Sequence, residues 1–248
     1  NEDDINKLLK EINILASMRH PNIVLYLGSS VDKENCYMIT EYIKDESLGK
    51  FLHIKKNKLT DKQIIGIAFQ MSTAIHYMHY RNIVHRDLKS DNVLLSENRF
   101  FRKDTPFEDK FSRIDNIQYK VKLADFGLSS HLKNLSGSKI TAGTFPWMAP
   151  EVMEKGLYTK KSDIFSYGMI IWELITERKP YENFSNKKYI YKEVIINKNI
   201  VKVPKEGNEI LKILAQECLN YNVNDRPSIK KIVDYLYKAN GFYRTMEP

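Results

Sequence analysis

Residues 83–95 read IVHRDLKSDNVLL. The stretch begins and ends apolar, at Ile83-Val84 and Val93-Leu94-Leu95, and between them come Arg86, Asp87, Lys89 and Asn92. A strand built only for stability would alternate or stay apolar. Here two hydrophobic anchors flank polar side chains at offsets of two and five from Asp87, which points to a rigid support aiming Asp87, Lys89 and Asn92 into a cleft.

The surroundings narrow what such a cleft could do. The chain has 248 residues, of which 42% are hydrophobic, enough for one large or two-lobed domain with a substantial core. Cys36 and Cys218 stand far apart without CxxC spacing, so a disulfide scaffold is not indicated and a reducing, cytoplasmic setting is expected. No run approaches the ~18 apolar residues of a membrane span. The most apolar segment, SYGMIIWELI at 166–175, is short, carries Glu173, and reads as a buried helix. The net charge of +8 is spread along the chain without a basic run, so no nucleic-acid role is expected.

Ile5, Leu8, Leu9, Ile12, Leu15 and Met18 recur at helical spacing and predict an amphipathic helix over 4–18, ended by His20-Pro21-Asn22. β-rich runs at 23–27 and 37–42 flank the polar turn 32–35. Thr60 or Asp61 should cap a long helix reaching Tyr80, with Ile64, Ile65, Ala68, Met71, Ile75 and Met78 inward. Short strands are expected around the opening motif and at 119–123, and mainly helix from Thr159 onward. His76, His79 and His85 do not complete a zinc pattern, and His79 is expected to be packed or hydrogen-bonded at its helix end.

Asp125-Phe126-Gly127 adds a second carboxylate, with Gly127 permitting a sharp turn, and Ala149-Pro150-Glu151 follows 24 residues after Asp125. Phosphoryl transfer needs a carboxylate near the attacking hydroxyl, a cation near the phosphate and oxygen ligands for magnesium. HRDLKSDN, DFG and APE in this order, with Asp163 and Arg226 beyond, resemble the eukaryotic protein kinase family over roughly residues 5–240. The GTFPWMAPE run at 143–151 and HPNIVLYLG at 20–28 are similar to the tyrosine-kinase-like group, the Raf and mixed-lineage relatives, whose members mostly phosphorylate Ser and Thr.

The resemblance implies an α+β, bilobal kinase fold with an incomplete N-lobe sheet and a mainly helical C-lobe. Residues 1–43 would be the N-lobe part, with the hinge at 40–43, and 44–241 the C-lobe. It implies Mg-ATP as phosphoryl donor and a protein Ser/Thr hydroxyl as acceptor. Asp87 would receive or orient the hydroxyl proton, Lys89 neutralise the γ-phosphate, Asn92 and Asp125 ligate magnesium, and Thr144 touch the Asp/Lys pair. Glu11 matches the helix-C glutamate that pairs with a phosphate-binding lysine. Thr40 matches the gatekeeper, Glu41 and Ile43 the adenine-contacting hinge, Ser47 the ribose contact, and Leu94 the floor under adenine. Leu15, Tyr26, His85 and Phe126 would form the regulatory spine, and Glu151 with Arg226 a buried ion pair. A phosphate on Ser138 or Thr141 is expected to pair with Arg86.

Three departures accompany the match. No glycine-rich loop or VAIK-like lysine precedes Glu11, so the sequence reads as a cropped domain, weak or inactive as a kinase by itself. Glu46 stands where glycine is common after the hinge. Asn92 and Asp125 are 33 residues apart, about 20 more than the resemblance implies, which marks 96–119 as a surface insertion that extends a hairpin and offers a docking segment. The rival reading is a pseudokinase-like scaffold that binds without turnover. Retention of Asp87, Asn92 and Asp125 speaks against it.

Overall fold

The computed structural model describes residues 2–32, 35–44, 46–97, 119–135 and 143–239. Its architecture is α+β: a small part made of one helix and a hairpin sits on a mainly helical body. Helix α1 spans Glu2–Ala16. It stops two residues before the predicted end because the Ser17 and Met18 amides turn back to the Ile14 and Leu15 carbonyls, and the Ser17 hydroxyl also donates to the Ile14 carbonyl at 2.7 Å. Met18 is buried all the same, with Ile12, Ile14 and Leu15. Ile5 and Leu9, expected in the inward stripe, are 49% and 45% exposed.

Strands β1 (Tyr26–Val31) and β2 (Cys36–Thr40) form an antiparallel pair with an irregularity between Tyr26 and Gly28. The predicted strand at 23–27 is displaced. Ile23 and Val24 are instead stitched to the large body, where Val24 N–H donates to the Leu123 carbonyl and Leu123 N–H to the Asn22 carbonyl, both at 2.9 Å. Burial of Ile23 and Val24 on that side forces the hairpin to begin later.

In the body, helix α2 (Leu48–His53) is capped by Ser47. Helix α3 (Asp61–Tyr80) begins with a reciprocal box between Thr60 and Gln63, and its six predicted inward residues are all buried. Strands β3 (Ile83–Val84) and β6 (Ser130–His131) pair, as do β4 (Val93–Glu97) and β5 (Tyr119–Leu123), each antiparallel. The β4–β5 ladder runs to Glu97 opposite Tyr119, and the insertion between them, like Ser136, Ser138 and Thr141, lies outside the described residues. Helices α4 (Pro150–Lys155), α5 (Lys160–Thr176), α6 (Lys187–Tyr191), α7 (Glu209–Cys218) and α8 (Ile229–Ala239) complete it. Helix α5 is buried nearly all round, and α7 packs so closely on it that a Cβ on Gly168 would lie 2.5 Å from the Cys218 Cβ. Among the described residues no helix is long and apolar enough to cross a membrane.

Candidate active site

The HRD segment is held from below by one carboxylate. Asp163, in the first turn of α5, accepts the His85 N–H at 3.0 Å, the Arg86 N–H at 3.1 Å and the His79 ring at 2.9 Å. These bonds, with Leu88 and β3 buried, hold Arg86 at φ 72°, a left-handed backbone that costs a non-glycine residue about 1–3 kcal/mol. The opposite side of the turn is equally tight: Gly143, at φ 108°, would place a Cβ 2.7 Å from the Arg86 carbonyl, so no larger residue fits.

That strained turn delivers Asp87 into a closed triangle. Thr144 Oγ1 donates to Asp87 Oδ1 at 2.7 Å, Lys89 Nζ donates to Asp87 Oδ2 at 2.8 Å, and Lys89 Nζ also donates to Thr144 Oγ1 at 3.0 Å. Asn92 Nδ2 donates to the Asp87 carbonyl at 2.8 Å and to Oδ2 at 3.3 Å. Burial alone would raise the Asp87 carboxyl, but the bonds from Lys89 and Thr144 and the positive charge of Lys89 more than offset it and hold Asp87 below its ordinary value. Asp87 is therefore an anion at neutral pH.

The Ala124 N–H donates to the Asn92 carbonyl at 3.0 Å, which brings the DFG segment alongside. Asp125 is itself left-handed, at φ 61°, and exposed, its carboxylate contacted by the Gly127 N–H at 3.4 Å. Phe126 is buried and its ring centroid lies 5.0 Å from that of His85; Leu15 is buried and Tyr26 half-buried. Glu11 Oε1 accepts the Phe126 N–H at 3.2 Å. Burial and then the neighbouring Asp125 carboxylate push Glu11 above its ordinary value. With Asn92 Nδ2 turned toward Asp87, Asn92 offers an amide oxygen and exposed Asp125 a carboxylate, hard donors of the type that suits an oxygen-liganded divalent cation rather than a soft metal. Among the described residues no group of three or more His, Cys, Asp or Glu could hold a metal, and His79 and His85 are engaged by Asp163 and the Ala124 carbonyl.

Across the cleft, Thr40 pairs with Tyr26, the Glu41 N–H donates to the Leu25 carbonyl, and Ile43 is half-buried. Ser47 bridges to Leu94, and its oxygen caps α2 by accepting the Lys50 N–H at 3.2 Å. Glu46 fixes β4 through its carbonyl, which accepts the Leu95 N–H, while its carboxylate meets Lys55. The predicted residues thus fall into two groups. Asp87, Lys89, Asn92 and Thr144 are in direct contact, with Asp125 and Glu11 joined through the backbone of residues 124 and 126; Thr40, Glu41, Ile43, Ser47 and Leu94 lie along the connection between the two parts. Arg226 grips Glu151 with two 2.8 Å bonds.

The sequence reading missed the clasp under that connection. Buried Lys122 donates to the Glu41 carboxylate and to the Ile23 carbonyl at 3.3 Å, while Glu41 also accepts the Leu25 N–H. The sequence carried no signal for it: alternation along β5 would put Lys122 on the face of exposed Lys120, yet it is 6% exposed, and its partner lies 81 residues away.

The model of the family described as protein tyrosine and serine/threonine kinase matches residues 1–236. The chain is 33% identical over 237 residues to the serine/threonine-protein kinase CTR1 of Arabidopsis thaliana, covering 94% of this chain and 26% of that protein. It is 29% identical to serine/threonine-protein kinase STY17 of the same plant, covering 95% of this chain and 38% of the relative. With the probable serine/threonine-protein kinase drkB of Dictyostelium discoideum it shares 31% identity, over 98% of this chain and 32% of the relative. The chain thus spans about a quarter to two fifths of the length of these curated relatives.

Proposed function

Given that the chain belongs to the protein tyrosine and serine/threonine kinase family, we propose that it carries phosphoryl-transfer chemistry from Mg-ATP to Ser or Thr hydroxyls of a protein substrate. The observation that carries this reading is the closed Asp87–Lys89–Thr144 triangle. An ionised carboxylate within hydrogen-bond reach of an ammonium and a hydroxyl is what transfer of a phosphoryl group to an alcohol requires. Asp87 orients the acceptor hydroxyl and takes its proton as the bond to phosphorus forms. Lys89, fixed by two partners, stands where negative charge grows on the transferred group. Asn92 and Asp125 would hold magnesium, which when bound would neutralise negative charge on the phosphates. Glu11 places a second carboxyl group beside Asp125. Thr40, Glu41, Ile43, Ser47 and Leu94 line the strip that would seat adenosine, with Glu41 and Ile43 offering backbone groups to the base.

The free cysteines, Cys36 half-buried and Cys218 buried, fit a reducing cytoplasm. Relatives named serine/threonine kinases support the acceptor class.

The test is transfer by the full-length protein to peptide pools offering Ser, Thr or Tyr alone. The Ser and Thr pools should be labelled. Asp87→Asn should lower kcat by about 10²–10⁴-fold while nucleotide affinity holds. Nucleotide binding with no transfer above an Asp125→Ala control would establish the scaffold reading instead.

A further inference from the structure

The kinase machinery described above leaves one buried acid unused. Glu173, ten residues beyond Asp163 on α5, is 0% exposed. Its Oε1 accepts the Ser90 hydroxyl at 2.8 Å and faces His53 Nε2 at 2.8 Å, and its Oε2 accepts the Trp147 indole N–H at 2.5 Å. The three partners come from three separate segments: the end of α2, the turn after Lys89, and the turn leading into α4. Burial raises the Glu173 carboxyl, while His53, Trp147 and Ser90 draw it back. A well-packed apolar side chain would fill the same space without desolvating an acid. What the acid adds is alignment.

The path through its partners is closed. Ser90 is the covalent neighbour of Lys89. Trp147 N–H donates to the Thr144 carbonyl at 3.1 Å, and the Ser166 hydroxyl, also from α5, donates to the Trp147 carbonyl at 2.8 Å. Lys89 and Thr144 then meet each other and Asp87. We propose that Glu173 is a positioning residue for phosphoryl transfer: by gripping Ser90 and Trp147 at one point it fixes the separation of Lys89 from Thr144, with His53 as its counter-group. This rests on the kinase reading above. Glu173 touches no reacting atom. Its effect belongs in kcat, because it sets a geometry used in the transition state and has no contact with the strip that would hold adenosine.

The test compares wild-type full-length protein with Glu173→Gln, Ser90→Ala, Trp147→Phe and the Glu173→Gln/Trp147→Phe double variant. Glutamine keeps the size but turns a donor toward one of three donors. Expected for each single variant is a kcat lower by about 10-fold per titrated active site, with the ATP KM within about 2-fold. The double variant should be no worse than the poorer single one, since both break the same tether. Independently of turnover, the indole N–H resonance of Trp147, assigned by its loss in Trp147→Phe, should move in Glu173→Gln. Should Glu173→Gln not fold, Ser90→Ala and Trp147→Phe leave the acid in place and carry the same expectation. A purely structural role would lower only the fraction of active sites, leaving kcat per site unchanged, and would overturn the proposal. An unmoved indole resonance would overturn it as well. Absence of transfer by the wild type would remove the kinase reading and this one together, whereas undiminished transfer by the three single variants removes this one alone.

Discussion

Helix α5 and the β1–β2 hairpin flank the cleft and are held by opposite means. Twelve of the seventeen residues of α5 are buried, and it reaches outward with two buried acids, Asp163 and Glu173, to hold the HRD turn and the turn before α4. In the hairpin no residue of either strand is buried, and Leu27, Val31, Tyr37 and Ile39 are about half exposed or more. What ties it down is the inward face of α1 and the Lys122–Glu41 clasp. The difference assigns different tolerances to the two halves of the site. Asp87, Lys89, Asn92 and Thr144 ride on an over-determined frame, while Glu11, Thr40 and Glu41 reach the cleft through a few polar contacts. Local stability should therefore fall steeply from the body to the hairpin.

Breaking the body gives the largest expected effect. Arg226 is 1% exposed and its charge is met by Glu151, so Glu151→Ala strands a buried guanidinium. A loss of about 3–5 kcal/mol is expected, read as a lower urea midpoint. An undiminished midpoint would mean that the frame is not what holds the site.

An intermediate effect is expected inside the triangle. Asp87 sits below its ordinary value of 3.8 in the folded state, so the unfolded chain takes up its proton first as pH falls, and the stability Asp87 contributes is present above that value and lost below it. Thr144→Val removes one of the bonds that depress it. The variant should be less stable by about 1–2 kcal/mol at pH 7, with the gap closing as pH falls through and below 3.8. A gap independent of pH would show that Thr144 acts through packing alone.

The smallest global effect belongs to the clasp. Lys122→Met should change overall stability by about 1 kcal/mol or less. Amide exchange should nevertheless rise across residues 23–41 and stay unchanged across α5. Equal acceleration in both would erase the contrast between the halves.

How much of this could be read from the chain follows the same division. Asp87, Lys89 and Asn92 lie within six residues, and their contacts are set by one local turn, so spacing was enough to group them. Helix α3 was legible because its cap and its inward stripe are both local signals. The start of β1 was not: Ile23 and Val24 have strand-like side chains but are claimed by Leu123, a hundred residues away. The exposure of Ile5 and Leu9 likewise depends on what α1 faces, which periodicity alone does not tell. Glu173 was visible as an acid in an apolar helix, yet its partners at 53, 90 and 147 come from three unconnected segments. Pairings at that range carry no pattern in a single sequence.

The two thiols happen to sample both halves. Cys36 is at the start of β2, half-buried. Cys218 lies against Gly168 of α5, fully enclosed, and burial pushes its thiol far above the ordinary range, so no reactive thiolate forms while the helices stay together. An alkylating reagent followed by peptide mass mapping would thus find two clocks in one polypeptide. The modification of Cys36 keeps time with hairpin breathing, and that of Cys218 with the parting of α5 from α7.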